Sequence, residues 1–130
     1  MNNHICEAVV LQCIDFRFRK TLYEFLMRRF PDGYDLVSVA GSVKRLLQDG
    51  PDNNFVLEQL QISDRLHNPQ TMVLIQHEDC GAYGGTKAFQ NSAAEEKFHR
   101  EELQRSKELL KTHFSKNVET YFAWLSGKIT

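Results

Sequence analysis

No stretch of this 130-residue sequence approaches the ~20 consecutive apolar residues of a membrane span. Its opening, "MNNHICEAVVLQC", lacks a basic segment, and the short apolar run there carries Glu7, so no secretory signal is expected. Neither sign of charge dominates: 16 Lys and Arg stand against 17 Asp and Glu, for a formal net charge of −1. Such a balance supplies no global field to draw in nucleic acid or an anionic membrane. Cysteine is scarce, and 3 residues at irregular spacing make no disulfide framework. Internal repeats and low-complexity linkers are missing as well. These absences predict a cytoplasmic protein with neither nucleic acid nor membrane as partner. Its cysteines are either reduced core thiols or metal ligands.

What is present is globular: 42% hydrophobic and 25% charged residues, in a length that suits a single domain over 1–130. "EAVVLQCIDFR" predicts a buried strand ending near Cys13. "FRKTLYEFLMRRF" follows as a helix, with Leu22, Phe25, Leu26 and Phe30 on one face, stopped by Pro31-Asp32-Gly33. "YDLVSVAG" predicts a second buried strand, with Ser42 capping a short helix "VKRLLQ". A turn is expected at Asp49-Gly50-Pro51, and Asp52 opens a helix whose apolar positions are Phe55, Val56, Leu60 and Ile62. "TMVLIQH" is a third buried strand. A charged helix from Ser92 to about Lys116 precedes "VETYFAWL", a fourth strand whose poor alternation suits a sheet edge. Strands alternating with helices predict an α/β fold, a mostly parallel sheet of four to five strands flanked by helices. Ligands of such sheets bind beyond the carboxyl ends of the strands.

Two of these strands end in residues able to ligate a metal. The first runs into "CIDFR", with Cys13, Asp15 and Arg17, and the third into "HEDC", with His77 and Cys80. If the strands are neighbours, two thiolates and an imidazole meet, the donors zinc prefers. Three protein ligands leave a fourth tetrahedral position open, as catalytic sites do. In an extended segment Asp15 and Arg17 point the same way, so the guanidinium clamps the carboxylate by two parallel hydrogen bonds and keeps it ionised.

"CIDFR" followed by "HEDCG" resembles the β-class carbonic anhydrases, whose signature is Cys-x-Asp-x-Arg and then His-x-x-Cys-Gly. "VAGSV" is similar to the family's Asn-Ala-Gly loop. The resemblance implies one zinc ion per chain on Cys13, His77 and Cys80, with Asp15 and Arg17 as the catalytic dyad. It also implies reversible hydration of carbon dioxide to bicarbonate by zinc-bound hydroxide. In some members the aspartate leaves the arginine and takes the fourth zinc position. Because the family's pocket is walled partly by a neighbouring subunit, a homodimer or higher even-numbered oligomer is expected. The chain departs from the pattern in lacking an N-terminal helical arm before the first strand, and at Val39, Ser42 and Phe16. Two other readings stand beside hydration: a zinc hydrolase of carbonyl sulfide or carbon disulfide, and a non-catalytic, zinc-stabilised scaffold that binds bicarbonate.

The remaining candidates receive bland roles. Cys6 has no partner at metal spacing and reads as a core or surface thiol; His4, His67, His99 and His113 read as solvated. Glu78 and Asp79 are expected to cap the following turn, and Gly81, Gly84 and Gly85 to let it bend tightly. A cysteine phosphatase would need arginine where Thr86 stands, and no nucleotide-binding glycine pattern is present.

Overall fold

The two most continuous apolar runs lie side by side at the middle of a sheet. The computed structural model describes residues 4–49 and 52–130. The first strand, β1 (Ala8–Gln12), and the third, β3 (Thr71–His77), are buried along their whole length. Between and around them come α1 (Arg19–Arg29), β2 (Tyr34–Ser38), α2 (Val43–Gln48), α3 (Phe55–His67), α4 (Ser92–His113) and β4 (Asn117–Ala123). The four strands are ordered β2-β1-β3-β4, and every neighbouring pair is parallel. The expected α/β fold is therefore present, with four strands. Gly50 and Pro51 of the expected turn lie outside the described residues.

The strand order dictates where the helices go. From β1 the chain steps one way to β2, and every later crossover steps the other way. Right-handed crossovers must then place α1 on one face and the remaining helices on the opposite face. The cores agree. Val9, Leu11, Met72 and Leu74 pack against Leu46, Leu60, Leu103 and Leu110 of α2, α3 and α4. Ala8, Val10, Val73 and Ile75 pack against Leu22 and Leu26 of α1. Each fully buried leucine or isoleucine contributes roughly 1.5–3 kcal/mol over its exposed state.

Several boundaries differ from the sequence expectation. Strand β2 is an edge strand, with Leu36 50% exposed, and not a buried one. Asn54, not Asp52, opens α3: its side chain accepts from Leu57 N at 3.0 Å while its amide donates to Leu46 O at 2.9 Å. The apolar stripe of α3 is Val56, Leu57 and Leu60, and Phe55 turns outward. Ser42 holds the position before α2, yet its hydroxyl donates to Leu11 O at 3.4 Å and caps nothing. Gln76 Oε1 accepts the Val43 N–H instead, at 3.3 Å. Strand β4 is the other edge, as its pattern suggested. No helix among the described residues is long and apolar enough to cross a membrane.

Candidate metal centre

The strand order reverses between β1 and β3, and a parallel sheet opens a crevice at such a point, beyond its carboxyl ends. Cys13 follows β1 directly, His77 is the last residue of β3, and Cys80 follows three positions later. Their ligating atoms all lie within 4.8 Å of one another. His77 is 3% exposed, and its Nδ1–H donates to Glu78 O at 2.7 Å. That bond turns Nε2 inward, where it is buried without a hydrogen-bond partner. A buried, unpartnered nitrogen grouped with two sulfurs is an acceptor that a cation could satisfy.

The thiols favour the same reading. The Cys80 S–H beside Cys13 pulls the Cys13 thiol down to about 4, and Gly41 N–H helps by donating to its sulfur at 3.4 Å. Cys80 is pushed up in turn, by the Cys13 thiolate and by burial. Burial opposes charge on His77, yet the Cys13 sulfur and the Glu78 carbonyl outweigh it and raise its pKa. Cys13 thus gives up its proton while Cys80 and His77 are biased to hold theirs, and a divalent cation could displace the protons that remain. This donor set fits zinc.

Asp15 and Arg17 sit beside the three. The segment is a 3₁₀ turn over Phe16–Phe18, not extended as the spacing suggested, and Asp15 caps it by accepting Arg17 N at 3.0 Å. The turn still brings the side chains face to face. Arg17 Nε donates to Asp15 Oδ1 at 3.1 Å and Nη2 to Oδ2 at 2.7 Å. The guanidinium holds the Asp15 carboxyl below the usual carboxylate range. Asp15 Oδ2 lies 3.8 Å from His77 Nε2, at the edge of the donor set.

Asp79 does more than the expected capping. Its Oδ1 accepts Thr86 N at 2.8 Å, while Oδ2 accepts Arg17 Nη1 at 3.0 Å and its carbonyl accepts Arg17 Nη2 at 2.9 Å. Buried Glu95 anchors the same loop by accepting Asp79 N at 2.7 Å. A Cβ on Gly85, at φ +76, would come within 2.8 Å of Asp79 Oδ1. Gly84 and Gly85 thus bear out the expected tight turn, whereas Gly81 has open space around it and no positive φ. His99 corrects the solvated reading: it is fully buried, and its Nδ1 accepts from Gln76 Nε2 at 3.1 Å. The helical spacing of Glu95, His99, Glu102 and Ser106 is the signal that could have found this buried polar stripe on α4.

A family model described as "Putative carbonic anhydrase" matches residues 3–129. An uncharacterised protein of Rickettsia conorii is 26% identical over 130 residues, covering 94% of this chain and 69% of that protein. The tetrameric beta-carbonic anhydrases of the filamentous ascomycete Sordaria macrospora align with a TM-score of 0.71 at 12% identity, over 98% of this chain and 80% of theirs. A carbon disulfide hydrolase in its apo form aligns with a TM-score of 0.63 at 15% identity, over 98% of this chain and 80% of its own.

Proposed function

The chain belongs to that carbonic anhydrase family, and from this premise we propose that it catalyses zinc-dependent, reversible hydration of carbon dioxide to bicarbonate. The observation that carries the reading is His77 Nε2, buried without a hydrogen-bond partner and grouped with the sulfurs of Cys13 and Cys80. These three residues would hold the zinc ion, one per chain. When bound, zinc supplies the Lewis acidity that brings the pKa of a water molecule to ~7.

The chain's own residues do the positioning. Arg17 serves the Asp15 carboxylate with three N–H groups: its backbone N on Oδ1, Nη2 on Oδ2, and Nε shared between Oδ1 at 3.1 Å and Oδ2 at 3.2 Å. Three N–H groups against roughly four lone-pair sites leave Oδ2, which has only Nη2 to itself, capacity to accept a hydrogen bond from the attacking water. Accepting that hydrogen bond, without taking the proton, orients a lone pair of the water oxygen towards the carbon of the substrate. Arg17 keeps Asp15 an acceptor by keeping it ionised, and Asp79 steadies Arg17. One water adds to carbon dioxide, bicarbonate leaves, and one proton passes to solvent.

Ile14 and Phe16, 58% and 80% exposed, flank Asp15 in sequence and give the neighbourhood an apolar character. That character supports an uncharged linear substrate, a description that carbon disulfide and carbonyl sulfide share. The test is zinc analysis of the purified protein with stopped-flow hydration of carbon dioxide, and sulfide release from the two sulfur compounds in parallel. Stoichiometric zinc and fast hydration are expected. Zinc with sulfide release alone would move the assignment to a hydrolase. Zinc with no turnover would leave a scaffold.

A further inference from the structure

At the opposite, amino end of the sheet, a second group of metal-type donors converges. Cys6 Sγ, a carboxylate oxygen of Asp35 and an imidazole nitrogen of His67 all lie within 4.8 Å of one another. Three elements assemble them. Cys6 precedes β1, and its N–H donates to His67 O, at the last residue of α3, at 3.0 Å. Asp35 is the second residue of β2, paired with Val9. His67 Nδ1–H donates to Asp35 Oδ2 at 2.7 Å, and Ser63 Oγ donates to the same oxygen at 2.7 Å. Cys6 and Cys13 bracket β1, and at ~3.3 Å per residue the two clusters stand roughly 20 Å apart.

We infer that Cys6, Asp35 and His67 form a second divalent-cation site, for zinc or a cation of similar softness, at the amino edge of the sheet. Thiolate, imidazole and carboxylate together make a donor set for such a cation. The Ser63 hydroxyl fixes the Asp35 carboxylate as outer hydrogen bonds fix ligating carboxylates elsewhere. The Asp35 and His67 side chains are 33% and 37% exposed, which leaves a route from solvent and room for a fourth ligand.

Entry of the ion at Nδ1 displaces the proton between Nδ1 and Oδ2, which passes through solvent to Nε2, so that the imidazole stays neutral. The separation of Nδ1 and Oδ2 must then widen to about 3.4 Å, as tetrahedral bonds of ~2.0–2.2 Å require. Burial and the Asp35 carboxylate hold the Cys6 thiol above its usual range. The resting thiol is therefore protonated, and uptake of M²⁺ forms the S–M bond while releasing that proton. An Asp35–His67 ion pair beside an idle thiol would explain the 2.7 Å contact as well, and would bind nothing.

Metal stoichiometry separates the two, whether or not the first centre fills. Metal-free wild type, Cys6→Ala and His67→Gln are each titrated with Co²⁺ at micromolar protein, reading thiolate-to-cobalt charge transfer and bound metal after desalting. Wild type is expected to take up one equivalent more than either variant, with stronger charge-transfer absorption than Cys6→Ala. The His67 change, at a partly exposed position, guards against a folding defect in the cysteine variant. Equal stoichiometry in wild type and His67→Gln, or equal stoichiometry and absorption in wild type and Cys6→Ala, overturns the site.

Discussion

With Arg17 bonded to both of its oxygens, Asp15 can act on a substrate only through what remains of Oδ2. An amide there would offer an N–H where an acceptor is needed. We therefore expect Asp15→Asn to retain zinc and lose hydration by roughly 10²-fold, the scale of removing one positioned group from a catalytic centre. Full activity with zinc retained would remove Asp15 from the mechanism. Asp79 acts one step further out. Its contact with Arg17 is a partly exposed ion pair, 35% and 37% accessible on its two sides, of the kind worth no more than ~1 kcal/mol. Asp79→Asn, which keeps an oxygen to cap Thr86, should slow hydration only a few-fold and leave metal content unchanged. A loss as deep as that of Asp15→Asn would mean that the loop, and not the pair, had failed.

Helix α4 carries an ionisable group where a helix facing a sheet ordinarily carries leucine. Burial depresses the His99 imidazole from its ordinary range to about 4. In the unfolded chain it titrates near 6.5, so between about 6.5 and 4 the unfolded state binds the extra proton. Stability then falls on acidification through that window, by up to about 3 kcal/mol at 1.36 kcal/mol per pH unit. Urea titrations at pH 7 and pH 5 should show a smaller acid loss in His99→Gln than in wild type; identical losses would mean that His99 does not set the acid limb. His99 was misread because its neighbours in sequence are charged, while its neighbours in space are Gln76, Tyr83 and Phe122. The same limit explains β2: an apolar β-branched run looks alike in the middle of a sheet and at its edge, and only the strand order decides. It also explains Asn54, chosen over Asp52 because its amide finds the Leu46 carbonyl across the chain. By contrast, the grouping of Cys13, His77 and Cys80 was legible, because the end of an apolar run marks the end of a strand, and parallel neighbours share that end.

On the whole-molecule scale, α1 is the one described α-helix on its sheet face, where Phe18, Phe30 and Ile129 also pack, and the surface around it stays apolar. Ile14, Phe16, Tyr23, Met27 and Leu36 are 58%, 80%, 59%, 38% and 50% exposed. Aliphatic and aromatic side chains gathered around one helix and an edge strand make a surface suited to burial by a second copy. Light scattering at micromolar concentration should therefore report a dimer or an even multiple of it; a monomer would leave that surface unexplained. The sheet order has a further consequence, in time and not in space. Cys13 and His77 come together only when β1 pairs with β3, a parallel contact between segments far apart in sequence, and contacts of that kind are slow to form. The three candidate ligands are then scattered during most of the search, and an ion would find its complete cage only in a nearly finished chain. In a chevron experiment zinc should leave the refolding arm where it is in the metal-free protein and lower the unfolding arm. The ion would act as a latch on a closed structure, and a metal-dependent acceleration of refolding would show that the two strand ends meet early.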